Sequence, residues 1–406
     1  MFEVTEQIPL DELRTRRARC LDILAAQHPD AGGLLLFSRP AIYYFTGFMS
    51  AGVFWLPVDG APLLMLRKGL ERVALESPGT AAALYRSYSD LGRLAADHGA
   101  PFAPVIAAEQ AALPWNLADN LQRRLPGVSF ISGDMALSRS RSVKTAFELA
   151  KIREAGARHA KGMEEVLPGR IRAGMTEFAI ALEVMQVFHS LGSLGINRLN
   201  AFGEELFLGK VSAGDNGNYP SAYNGPVGGQ GAHPSLPNLG SQAVWAERSI
   251  LIADVGFNYE GYLSDKTLCY FSGRRDDIPT EARKAHDVCM AIEQAVAERL
   301  CPGTTPHDIY LMALDMAKQA GFADGFMGAG SNKVPFLGHG IGLSVDEWPV
   351  LAARFDRPLE AGMVIAVEPK IGLPGIAMVG SENIWEVTDS GGRCLSGGIR
   401  DIVCVE

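Results

Sequence analysis

Ile250-Leu251-Ile252-Ala253-Asp254-Val255-Gly256 and Gly261-Tyr262-Leu263-Ser264-Asp265-Lys266-Thr267-Leu268-Cys269-Tyr270-Phe271 decide how this chain is read. Both stretches are apolar and strand-like, and each carries one Asp where a core strand would avoid it. A hairpin folding about Tyr259 and Glu260 would set Asp254 directly opposite Asp265, with Cβ atoms ~5 Å apart. Two carboxylates that close on apolar strands repel each other unless a cation sits between them.

The pattern recurs downstream. Val364-Ile365-Ala366-Val367-Glu368 and Glu382-Asn383-Ile384-Trp385 flank a turn at Pro374-Gly375, and a hairpin centred on Gly375 sets Glu368 opposite Glu382. A fifth candidate is His339, held between Gly338 and Gly340, which let backbone and metal approach closely. Four carboxylates and one imidazole form an oxygen-rich set suited to Mn²⁺, Fe²⁺, Co²⁺ or Zn²⁺ and unsuited to copper.

Around this constellation the chain reads as two domains, an expectation that its 406 residues support. Residues 1–142 read as an α/β domain: a helix over 10–26, then strands over 33–37, 41–48 and 53–66, the last broken at Asp59-Gly60, and further strands over 102–107 and 128–132. A polar stretch at 138–142 marks the boundary. Residues 143–406 open with a helix over 145–167, capped by Thr145 with Glu148 three residues on, and a second over 176–190. Helices are also expected over 279–300 and 306–320. The segment 197–241, dense in Gly and Pro but poor in charge, reads as a functional loop, with Phe207, Tyr219 and Tyr223, and beyond it Trp348, as candidate pocket walls.

Composition narrows the function classes. Hydrophobic residues make up 47% and charged residues 20%, as in an ordinary globular protein. The net charge of -9 argues against nucleic acid or an anionic membrane as partner. The six cysteines lack CxxC spacing and read as reduced thiols. With a polar N-terminus and no apolar run of ~20 residues, a cytoplasmic location is expected.

The order Asp, Asp, His, Glu, Glu, with the Gly338-His339-Gly340-Ile341-Gly342-Leu343 motif, the Val367-Glu368-Pro369 strand and Ser381-Glu382-Asn383, resembles the creatinase/prolidase/aminopeptidase P superfamily. Tyr43-Tyr44-Phe45-Thr46-Gly47-Phe48 resembles that superfamily's N-terminal domain, so the resemblance covers nearly the whole chain. It implies an α/β creatinase-like N-terminal domain followed by an α+β "pita-bread" catalytic domain. It further implies two divalent ions, manganese favoured, held by Asp254, Asp265, His339, Glu368 and Glu382 and bridged by water. Glu368 would also shuttle a proton to the leaving amine, and His233, in Gly231-Ala232-His233-Pro234, would stabilise the oxyanion. The implied activity is hydrolysis of short Xaa-Pro peptides by a homodimer.

Three positions depart from the resemblance. The second histidine that such peptidases carry seven residues after the metal-binding one is Asp346, the one four residues before it is Pro335, and the arginine two before the last Glu is Gly380. An Asp at 346 could bind a cationic substrate group or act as a base, or it could cap the turn before Trp348. It therefore also favours an alternative: a relative of the creatinase, ectoine-hydrolase or dimethylsulfoniopropionate-lyase kind acting on a small, cationic metabolite. A catalytically silent binding module is a third reading, opposed by the intact ligand set.

Overall fold

The computed structural model describes residues 3–201 and 205–405 and divides between Arg141 and Ser142 into two compact units. The first is built on a six-stranded sheet in the order Ala81–Leu84, Leu63–Leu66, Val53–Pro57, Gly33–Leu36, Val105–Ala108, Ser129–Ser132. Its centre is antiparallel where Asp59-Gly60 reverses the chain and parallel at both edges, where helices provide the crossovers.

The expected strand over 41–48 is instead a helix, Arg39–Thr46. The aromatic residues there favour strand, but the ends override them. The Ser38 side chain accepts from the Ala41 N–H, Pro40 sits in the first turn, and Gly47 closes the helix at φ 75°. The polar stretch before the second unit is likewise the end of a helix, Asp134–Ser142.

The second unit opens as its sequence suggests. Thr145 and Glu148 form a reciprocal capping box at the start of the helix Ala146–Ala160. Beyond Ala160 the helix widens into a π turn over Lys161–Val166. One sheet has the order Val403–Val405, Tyr262–Ser272, Ile250–Tyr259, Gly209–Ala213. A second has the order Glu347–Ala352, Phe336–Gly340, Val364–Val367, Asn383–Thr388, Gly391–Cys394, with a two-stranded ribbon, Lys370–Leu373 and Ala377–Gly380, inserted between its third and fourth strands in sequence. Helices Thr280–Ala297 and Pro306–Gln319 bury Cys289, Ile292 and Ile309 in one core, while Ala146–Ala160 and Glu177–Ser190 bury Ala155, Ile180 and Val184 in another.

The two sheets meet where Thr267 and Glu382 exchange backbone hydrogen bonds of 3.3 Å in each direction. That bridge brings the acidic residues of the first hairpin beside those of the second. Among the described residues no helix is long and apolar enough to cross a membrane.

Candidate metal centre and active site

The hairpin carrying the two aspartates is in a different register from the expected one. Its loop is Glu260-Gly261, with Tyr259 paired to Tyr262, so Asp254 faces Thr267 and Asp265 faces Gly256. Asp254 and Asp265 are thus diagonal neighbours, two places out of line. Because side chains alternate with a period of two, a two-place shift leaves both on one face. The Thr267 hydroxyl, opposite Asp254, lies 3.0 Å from Asp254 Oδ1 and 2.9 Å from Glu382 Oε2 and has one proton to share between them.

Glu368 and Glu382 lie where two ladders share one register, Val367 facing Asn383 on one side and Lys370 facing Gly380 on the other. His339 sits on the neighbouring strand with Ala366 as partner, and its Nε2 lies 3.6 Å from Glu368 Oε1. Asp254, Asp265, His339, Glu368 and Glu382 all line one cavity. Ligand atoms of Asp265, His339 and Glu382 lie within 4.8 Å of one another, close enough to hold a metal ion.

The donors fit a divalent cation. Glu382 Oε1 is buried and accepts no hydrogen bond, which leaves a lone carboxylate oxygen facing the cluster. Burial raises the Asp265 and Glu368 carboxyls well above their ordinary range, and Glu382 raises both further. Burial also raises Asp254, against the pull of Lys370. Acids that crowd and repel in this way accept a cation readily.

Two lysines completing the site went unremarked in the sequence. Lys370, fully buried, points its ammonium at Glu382 Oε2 at 3.1 Å and Glu368 Oε2 at 3.5 Å. Burial opposes its charge, yet Glu382, Glu368 and Asp254 outweigh burial and hold it above the ordinary lysine range. A Lys directly after Glu368-Pro369, in an otherwise apolar strand, was the available signal. Lys210 lines the cavity from the strand Gly209–Ala213, and burial lowers it to about 8 against the pull of Asp254. A single Lys on a short strand gives no comparable signal.

His233 is not among the residues lining the cavity. It is exposed, its Nδ1 lies 2.7 Å from Ser235 Oγ, and it closes a tight turn with Leu236. Pro234 lies within that turn and Pro237 directly follows it. Asp346 does line the cavity, and its Oδ1 accepts from the Asn200 N–H at 2.5 Å. The capping role falls to its neighbour instead: Glu347 accepts from the Leu343 and Ser344 N–H groups and pairs with Lys144. Burial raises Asp346, with Asn200 and His339 opposing.

Of the aromatic candidates, Tyr223 lines the cavity while Trp348 packs against the core of the second unit. Phe207 and Tyr219 do not line it. Within the stretch read as a functional loop, Tyr223, Asn224, Gly225 and Val227 form part of the wall, and residues 202–204 lie outside the described residues.

A buried carboxylate–imidazole cluster opening on a cavity at the junction of two sheets defines a metal-dependent hydrolase. The chain belongs to metallopeptidase family M24, which matches residues 150–389, and a Creatinase/Prolidase N-terminal domain matches residues 16–143. Its catalytic unit therefore has the α+β pita-bread fold, behind a creatinase-like α/β domain. Probable dipeptidase PepE of Mycobacterium tuberculosis is 29% identical over 409 residues, covering 96% of each chain. The Xaa-Pro dipeptidase of Lactobacillus helveticus is 28% identical over 70% of this chain and 67% of its own. Among solved structures, dipeptidase PepE from Mycobacterium ulcerans superposes with a TM-score of 0.77 at 23% identity, over 98% of this chain and 100% of that one. X-Pro aminopeptidase from Thermotoga maritima gives 0.78 at 22%, over 96% and 99%.

Proposed function

We propose that this chain hydrolyses short peptides of the Xaa-Pro type, using two divalent ions held by Asp254, Asp265, His339, Glu368 and Glu382. The observation carrying this reading is that ligand atoms of Asp265, His339 and Glu382 lie within 4.8 Å of one another, with Glu382 Oε1 buried and accepting no hydrogen bond. Asp254 and Glu368 line the same cavity and supply the donors that a second ion would need. The oxygen-rich set favours manganese, with iron, cobalt and zinc also compatible.

When bound, the ions would acidify the attacking water and polarise the scissile carbonyl. The protein's own residues do the rest. Glu368, on the same cavity, would take up the proton released by the attacking water and pass it to the leaving nitrogen. Asp346 offers a carboxylate to the substrate's ammonium group. Val345, Val350 and Phe336 present an apolar wall on which a proline ring can pack while water is displaced.

Asp346 also supports a second reading, a small cationic metabolite bound in place of a peptide. The acidic balance and scattered cysteines fit a cytoplasmic enzyme, and the family resemblance fits a homodimer.

Turnover of Ala-Pro by Mn²⁺-loaded protein, with Asp265→Ala as control and metal content measured alongside, tests the reading. Proline release that disappears in the variant, with two ions per wild-type chain, is expected. A two-metal protein that leaves every Xaa-Pro dipeptide intact would overturn the peptidase reading and leave the metabolite reading standing.

A further inference from the structure

Lys210 is a buried cation in the cavity wall that makes no direct ion pair, although its cross-strand partner Asp254 attracts it. It is only 6% exposed, and its ammonium donates to the Ser221 hydroxyl and to the Val227 carbonyl at 2.7 Å. The Tyr223 ring lies 5.7 Å away. All three neighbours are neutral, and no carboxylate among the described residues forms an ion pair with Lys210. Burying an unpaired charge costs several kcal/mol, and an ammonium has three donors, of which two are used here. The third remains for a ligand.

The register says where that ligand would be. Lys210 is the cross-strand partner of Asp254, so both side chains leave the sheet on the same face and both line the cavity. Adjacent strands lie ~4.8 Å apart. In a dipeptide bound for cleavage, the terminal carboxylate follows the scissile carbonyl by one residue, ~3.5 Å. Each further residue would carry that carboxylate past the lysine and set a neutral amide against it.

We propose that Lys210 anchors a free substrate carboxylate, so that the site selects compact, dipeptide-sized molecules ending in a carboxylate over longer or C-terminally blocked peptides. With Asp346 on the same cavity, the preferred substrate is a zwitterion held at both poles. The proposal rests on the peptidase reading for the position of the scissile bond, but its binding step does not require turnover.

Calorimetry on Mn²⁺-loaded protein should therefore compare L-proline with L-prolinamide, which differ at the carboxylate alone. Wild type is expected to bind proline at least ~10-fold more tightly, the equivalent of about 1.4 kcal/mol. Lys210→Met should bring the two within about two-fold, and Lys210→Arg should keep the preference. Equal binding of acid and amide by wild type, binding of neither, or a preference that survives in a folded Lys210→Met protein would overturn the proposal. Should the Met variant fail to fold, Lys210→Gln, which keeps a polar head in the same space, carries the comparison and should likewise bring acid and amide within about two-fold. Ala-Pro hydrolysis measured in parallel separates the two readings. Discrimination without hydrolysis keeps the anchor and removes the peptidase, whereas hydrolysis without discrimination does the reverse.

Discussion

Lys370 and Gly380 face each other across the two-stranded ribbon, and the Lys370 ammonium stands 3.1 Å from the Glu382 carboxylate two residues beyond that glycine. The resemblance leads one to expect a cation at 380 itself. Here it comes from the opposite strand. A Cβ at Gly380, at φ +154°, would lie 2.8 Å from Lys370 Cδ and 2.3 Å from the Pro369 carbonyl oxygen, so the absence of a side chain there makes room for the lysine. Removing Lys370 leaves Glu368 and Glu382 without the ammonium that they share. Lys370→Met should therefore destabilise the metal-free protein by about 3 kcal/mol, and divalent metal should restore more stability to the variant than to wild type. Denaturant melts in chelator and in Mn²⁺ test this. An equal loss in both conditions would mean that Lys370 contributes packing and not charge.

The pH dependence follows from the acids. Asp254, Asp265 and Glu368 are raised above their unfolded values, near 3.9 and 4.3, first by burial and then by neighbouring carboxylates. Above that range the folded, metal-free protein holds protons that the unfolded chain has released. The stability these groups contribute is fully present below the unfolded pKa and falls as pH rises through the raised values. Lys370, also raised, loses its contribution only in alkali, above ~10.4. Metal requires deprotonated ligands, so Mn²⁺ affinity should increase as pH rises through the raised values of these acids, with protons released on binding. Titrations in buffers of differing ionisation enthalpy count those protons. A heat independent of the buffer would show that the acids were already ionised.

The faces of the strands were legible in the sequence because alternation is strict; the hairpin register was not. A loop centred on Tyr259 and Glu260 left Gly261 unused. The real two-residue loop places Glu260 at φ 49° and Gly261 at φ 90°, both left-handed as a type I′ turn requires, and Gly261 was its signal. Glu260 is an uncommon residue there and is tied to Lys151 in the folded chain, a long-range contact that local pattern does not show. The two-place slip preserved the faces, so the four acids line one cavity despite the wrong partners. His233 is a different case: its Gly and Pro neighbours match a motif, but its placement in an irregular loop depends on a turn closed with Leu236 and on its contact with Ser235, which local pattern does not show. Lys210 was overlooked because its meaning lies in its cross-strand partner, Asp254.

Asp346 occupies a place where a histidine is expected by resemblance, and on the proposed reading its carboxylate receives the substrate's ammonium group. Asp346→Asn should raise KM for dipeptides with a free amino terminus by about 10-fold, one lost charge-assisted hydrogen bond being worth about 1.5 kcal/mol or more, and leave an N-acetylated dipeptide unaffected. Comparing KM and kcat for the two substrates in both proteins measures this. A fall in kcat shared equally by both would instead assign Asp346 to proton transfer.

Glu293, on the helix Thr280–Ala297 and wholly buried, accepts hydrogen bonds from Ser381 Oγ at 2.5 Å, Asn383 Nδ2 at 2.8 Å and Trp385 Nε1 at 3.2 Å. These three donors flank or follow Glu382 on its own strand, so one helix carboxylate fixes the backbone that presents the ligand. Glu293→Ala strands three buried donors at once and should destabilise the protein by at least about 3 kcal/mol. Outer contacts of this kind typically account for 10–100-fold in metal affinity, and a loss in that range is expected for Mn²⁺. Glu293→Gln keeps the acceptor oxygen and should recover most of the stability. If the Ala variant folds and binds Mn²⁺ as wild type does, Glu382 is held by its bridge to Thr267 and the helix serves only to close the core.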